Sequence, residues 1–336
     1  MRKETTLKRS KISAAVGLLA AWTLVLTGCS GGNAKPDGSP EPGGSSEYKI
    51  GITKIEPHPS LDAAAAGFKQ ALADAGVKAT YEEQDAQGDQ GTQTSIAGTF
   101  ASSGLDLVLA ISTPSAQAVA QAIQDKPVLF TAVTDPVDAK LVASNEAPGA
   151  NVTGTTDMNP VAEQIALIKK LRPKAKSVGI LWSTKESNSE VQVKLAKQAA
   201  EAEGLEVVEK AVSDRGDIST AVNTLKADAI YVPTDNTIVS GLEVVIAAAE
   251  KAQIPLIVGE GDSVRRGGII TYGIDYEKLG YQTGEMAVKI LTEGADPATM
   301  PVESQKDLSV YINKSAAERM GVQVPDELFQ GATVVG

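Results

Sequence analysis

Short apolar runs recur along the chain from Tyr48 onward, each followed by a stretch with helical spacing. Ile50–Ile52, Leu107–Ile111 and Val128–Phe130 are nearly unbroken apolar runs in the first half of the body. Val178–Leu181, Ala229–Val232 and Leu256–Val258 answer them in the second half. Runs this short and this apolar read as strands buried on both faces. Between them the apolar residues fall on one helical face, as at Leu61, Ala65, Phe68 and Leu72, with Gly76 placed as a C-cap. Val191–Glu203 ahead of Gly204 repeats that arrangement. Strands alternating with helices predict parallel sheets covered by helices on both faces.

The two halves share a register. Lys49–Ile52 matches Ser177–Ile180 at an offset of 128 positions, and the same offset takes Gly76 to Gly204 and Gly88-Asp89 to Gly216-Asp217. Farther on, Asp106–Pro136 parallels Asp228–Val264 at a slipped spacing, so an insertion separates the halves. The expected fold is α/β, with two similar doubly wound parallel-sheet lobes.

Ligands of such sheets bind beyond the carboxyl ends of the strands. In the first half those ends carry Glu56, His58 and Ser60, then Ser112 and Thr113, then Thr134 and Asp135. In the second they carry Trp182, Ser183, Glu186, Asn188 and Ser189, then Thr234, Asp235 and Asn236, then Glu260 and Asp262. Helix capping explains one polar residue at each end, and Ser112-Thr113-Pro114 and Thr134-Asp135-Pro136 look like caps before a proline at the first helical position. Capping explains pairs and triplets less well, so the group as a whole reads as a binding surface.

Composition narrows the chemistry. The chain has 336 residues and a formal charge of −11. Residues 1–28 carry Arg2, Lys3, Lys8, Arg9 and Lys11 against Glu4, which leaves −15 for the remainder. A body this acidic repels phosphate backbones and argues against nucleic-acid binding. His58 is the only histidine, so neither a metal cluster nor a Ser–His triad is expected, and no catalytic residue, metal or cofactor is assigned. Enzyme chemistry is the weaker reading.

The first residues read as a targeting segment, with basic residues ahead of the apolar run Ile12–Leu26. That run ends in Leu26-Thr27-Gly28-Cys29, and Cys29 is the only cysteine. The sequence resembles the lipobox of bacterial lipoproteins, which implies cleavage before Cys29 and a lipid anchor on it. Two acyl chains would hold the protein stably at a membrane surface. Ser30–Ser46 is rich in Gly, Ser and Pro and reads as a flexible tether. The expected domains are a signal peptide at 1–28 and a lipidated tether at 29–47. A first lobe at 48–153 plus 275–302 and a second at 154–274 plus 303–336 complete the chain.

From Tyr48 to about Pro325 the chain resembles the ABC-transporter substrate-binding lipoproteins with a type I periplasmic-binding-protein-like fold. It is similar to the branch associated with tryptophan, tyrosine and other hydrophobic amino acids. The segments that carry this are AISTPSAQA, LFTAVTDPVDAKLV, PGANVTGTTD, KESNSEVQV, YVPTDNTIVSG and TYGIDYEKLGYQTGEMAVKIL. The resemblance implies a clamp whose chain crosses between lobes three times, near Thr153–Asp157, Tyr272–Asp275 and Val302–Lys306. It implies an ABC permease and its ATPase as partners, a monomer, and a place on the outer face of the cytoplasmic membrane.

The expected ligand set is His58, Ser112, Thr113, Thr134, Asp135, Trp182, Glu186, Asn188, Asp235, Asn236, Glu260, Tyr272 and Asp275. For a zwitterionic amino acid, Ser112 and Thr113 would meet the carboxylate. Asp135, Asp235 or Glu260 would meet the ammonium, Asp235 first, with Trp182 and Tyr272 against the side chain. A purine or nucleoside ligand, and a sensory module on the same clamp, are the alternative readings.

Overall fold

The computed structural model describes residues 47–306 and 308–336. The signal, lipobox and tether read from the sequence lie outside them. The first half forms β1 (Tyr48–Lys54), α1 (Pro59–Asp74), β2 (Ala79–Asp85), α2 (Gln90–Ser102), β3 (Leu107–Ile111), α3 (Thr113–Ala122), β4 (Val128–Val133) and β5 (Val152–Thr156). The second forms α4 (Val161–Leu171), β6 (Ser177–Ser183), α5 (Ser187–Ala202), β7 (Glu206–Val212), α6 (Ile218–Thr224), β8 (Ile230–Val232), α7 (Asn236–Ser240), α8 (Leu242–Ala252), β9 (Leu256–Val258), α9 (Gly261–Arg266) and β10 (Ile270–Gly273). The chain ends in α10 (Tyr276–Glu293), β11 (Glu303–Ser304), β12 (Ser309–Asn313), α11 (Lys314–Arg319) and β13 (Thr333–Val335).

Two sheets result, ordered β11-β5-β4-β3-β1-β2 and β13-β12-β10-β9-β8-β6-β7. Every neighbouring pair is parallel except β10–β12, where the strand arriving from the third crossing runs back along β10. Strands β3 and β4 are buried at every position, which is why they read as unbroken apolar runs. Each lobe holds its own hydrophobic core, one built around Phe68, Phe100 and Phe130 and the other around Ile180, Tyr231 and Ile257.

The lobes exchange chain at three places. The segment Thr153–Asp157, expected as the first crossing, is strand β5 of the first sheet up to Thr156, so the crossing begins at Asp157. The second runs from Gly273 to Tyr276, and Ile274 already packs in the first core. The third follows Ser304, because β11 pairs with β5 and belongs to the first sheet. Helix α10 lies against α1 so closely that a Cβ on Gly67 would run into the Glu277 carbonyl, and one on Gly280 into the Ala64 carbonyl. Only glycine allows that approach, and it fixes the second crossing to the first lobe.

Candidate functional site

The carboxyl ends of both sheets face one cleft. Strand β1 delivers His58, the N-cap of α1, with an extended backbone and no side-chain cap on that helix. Ser60 and Leu61 follow in its first turn. Strand β4 ends in a break of register between Phe130 and Val133, with Ala132 in the left-handed region at φ 56°. A strained backbone at a strand end of this kind points to a site rather than to simple folding economy. From the second lobe come Asn188 on α5, Thr234 and Asp235 ahead of α7, Asn236 at its first position, and Glu260 ahead of α9.

These residues close around a cavity of about 20 Å³. Its walls are His58, Ser60, Leu61, Ala132, Thr134, Asp157 and Tyr276 from the first lobe and its crossings, and Asn188, Thr234, Asp235, Asn236, Val239 and Glu260 from the second. That is room for about one water, so a larger ligand enters only as the lobes part. Both lobes contribute, and they touch: His58 Nε2 donates to Asn236 Oδ1 at 3.4 Å across the cleft. Gln90 Nε2 donates to the Lys185 carbonyl at 3.0 Å, and Gln117 Nε2 to Ser187 Oγ at 3.5 Å. The clamp is closed.

Three buried carboxylates line the cavity, and none of its lining residues is Lys or Arg. Asp235 caps α7 through Ile238 N–H at 2.8 Å and also accepts from Ser183 N–H and Ser189 Oγ. Burial, and then the neighbouring Glu186 charge, raise its carboxyl above the usual range. Glu260 caps α9, accepting from Asp262 N–H and from the N–H and hydroxyl of Ser263. Burial, with help from Asp262, pushes it up to about 7. Asp157 accepts two hydroxyls, Thr134 Oγ1 at 3.2 Å and the Tyr276 phenol. Burial raises its carboxyl and those two bonds oppose the shift.

Unpartnered polar atoms gather at the same place. Among the described residues, His58 Nδ1, Ser60 Oγ and Asn188 Oδ1 are buried lining groups without a hydrogen-bond partner. Burial holds the His58 imidazole down to about 4, so it is neutral at pH 7. Because Asn236 Oδ1 can only accept, the proton sits on Nε2 and Nδ1 is left as an acceptor. An unpaired buried polar atom costs roughly 1–3 kcal/mol, so a cluster of them marks groups awaiting a ligand.

Residues 49–335 match the model of the ABC transporter substrate binding protein family. The chain belongs to that family. A tyrosine-binding protein of Clostridioides difficile is 42% identical over 308 residues, covering 89% of each chain. A Streptococcus pneumoniae protein solved in complex with L-Trp is 38% identical, with a TM-score of 0.83 over 87% of this chain and 100% of that one. A ligand-free, open structure of a Clostridium difficile substrate-binding protein is 42% identical yet has a TM-score of only 0.65, over 86% of this chain and 99% of that one. Greater identity with poorer superposition is what a closed clamp gives against an open one.

Of the residues expected from the sequence of this substrate-binding protein, His58, Thr134, Asn188, Asp235, Asn236 and Glu260 line the cavity. The others do not. Ser112 is buried at φ 88° and bonds Ser115, and Thr113 keeps an unpartnered buried hydroxyl, but neither reaches the lining. Asp135 receives the Val137 and Asp138 N–H groups and holds a turn. Trp182 and Tyr272 pack on the second core, and Asp275 caps α10. Glu186 faces a separate open cleft, where it joins α5 to α7 by accepting from Asn188, Asn236 and Thr237. Asp157 and Tyr276 were missed because one closes a segment that reads as hinge and the other begins a helix. Ser60 was visible among the strand-end polar residues.

Proposed function

We propose that this protein captures an aromatic amino acid between its lobes outside the cytoplasm and hands it to the permease of an ABC importer. One observation carries the reading: a cavity shut by both lobes, walled by carboxylates and open acceptors, with no basic side chain in its lining. Such a lining suits a ligand that brings its own positive charge, because a buried carboxylate is costly until it is paired. The amino-acid ammonium is that charge.

Its carboxylate meets the first turn of α1, where N–H groups lack a side-chain cap and Ser60 Oγ is free to donate. The aromatic ring lies against Leu61, Ala132 and Val239 and the rings of His58 and Tyr276. Relatives named for tyrosine and crystallised with L-Trp support an aromatic side chain. Leu26-Thr27-Gly28-Cys29 supports a lipid anchor, from which a monomeric receptor reaches its permease over the Ser30–Ser46 tether. The ligand leaves unchanged, as in a receptor rather than an enzyme.

The test is calorimetry on protein unfolded and refolded to remove bound ligand, titrated with each of the twenty amino acids. Saturable one-to-one binding of L-Tyr or L-Trp, with little or no heat from acidic or basic amino acids, is the expected result. Heat from a nucleoside and none from any amino acid would move the ligand to another class.

A further inference from the structure

Of the three carboxylates in the cavity, two are already committed to their own lobe. Asp235 and Glu260 each accept three donors, including backbone N–H groups, and each caps a helix. Asp157 is different. It is 2% exposed, caps no helix, and among the described residues the neighbours that donate to its carboxylate are two hydroxyls, with no N–H from another residue. A carboxylate has room for about four donors, and hydroxyls stabilise its charge less than an ammonium does. Asp157 is therefore the acid with the most to gain from a cationic ligand.

Its position matters as much as its vacancy. Asp157 is the first residue beyond β5, where the chain leaves the first lobe, and its own N–H is held by the Val133 carbonyl at 3.1 Å. Tyr276, which donates to it, is the first residue of α10, where the chain has just returned. The side chain thus links two of the three crossings and lines the cavity at the same time. His58 Nδ1 and Asn188 Oδ1, buried acceptors with no partner, line that cavity too, and an ammonium has three N–H groups to offer.

We propose that Asp157 receives the ligand's primary ammonium and, through Tyr276, connects ligand binding to the hinge. This rests on the reading of the cavity as the ligand site. The amine becomes the group that contributes most to affinity, while the ring and carboxylate still bind without it.

The test uses the full chain, stripped and refolded, as wild type and Asp157→Asn, titrated with L-tyrosine, tyramine and 3-(4-hydroxyphenyl)propionate. Loss of one charge-assisted contact should weaken L-tyrosine and tyramine by about ten- to a hundredfold in the variant, while the propionate, which lacks the amine, changes by less than about threefold. A purely structural role would weaken all three together, and that result overturns the inference. L-tyrosine binding equally to both proteins overturns it too, while leaving the amino-acid reading intact. Tyramine bound by the wild type and lost in the variant, with L-tyrosine silent in both, keeps Asp157 and removes the amino-acid reading. Should Asp157→Asn not fold, a crystal structure of the wild type with bound amine decides. Nitrogen within hydrogen-bond distance of Asp157 supports the inference, and nitrogen on Asp235 or Glu260 instead overturns it.

Discussion

Asp235 and Glu260 have the same local chemistry, a carboxylate capping a short helix, and both were legible in the sequence as strand-end acids. What the sequence could not show is how many donors each already holds. Asp235→Ala removes a helix cap and strands the Ser183 N–H and Ser189 hydroxyl, so the expected loss is about 2–4 kcal/mol of stability, read from chemical denaturation. Glu260 gives a pH signature. Its folded value of about 7 lies above the unfolded value of about 4.3, so its contribution to stability is present at low pH and declines as pH rises towards 7. An ammonium held by Asp157 in the same cavity opposes that preference without touching Glu260, because a nearby positive charge favours the ionised acid. Affinity for L-tyrosine should therefore weaken as pH falls below about 7, by at most about tenfold per unit for each proton taken up. Calorimetry in two buffers of different ionisation enthalpy would register the released proton. Constant affinity across that range would show that the ligand's charge lies too far from Glu260 to act on it.

At the level of elements, the repeat was the most readable feature, and the structure gives it a physical cause. Gly51 and Gly179, related by the shared offset, both sit where a Cβ would strike a neighbouring side chain, Leu105 and Phe100 in one lobe and Leu225 in the other. Gly76 and Gly204 both turn the chain after a helix with positive φ. Asp106 accepts the Lys49 N–H and Asp228 the Lys176 and Ser177 N–H groups, so each clamps the start of its lobe's first strand. The crossings were less legible, since Val152–Thr156 is rich in small residues whether it serves as edge strand or hinge. Nor did any local pattern announce the α1–α10 contact, which joins segments some two hundred residues apart. Gly280→Ala should cost about 1–3 kcal/mol by forcing those helices apart, and a thermal melt would show it. An unchanged melting temperature would mean that the helices adjust freely.

For the whole molecule, function turns on closure. Each lobe has a complete core, and among the described residues hydrogen bonds between them run from His58 to Asn236 and from Gln90 and Gln117 to the start of α5. Contacts of this kind are worth about 0.5–1.5 kcal/mol each, too little to hold the clamp shut without the ligand's own interactions. Stripped protein is therefore expected to open, as in the ligand-free, open structure of the relative. Small-angle X-ray scattering on stripped protein with and without saturating L-tyrosine or L-tryptophan tests this most directly. The ligand is expected to shrink the particle, with a bound profile that fits the closed form. Identical profiles in the two states, with binding confirmed on the same sample, would contradict it.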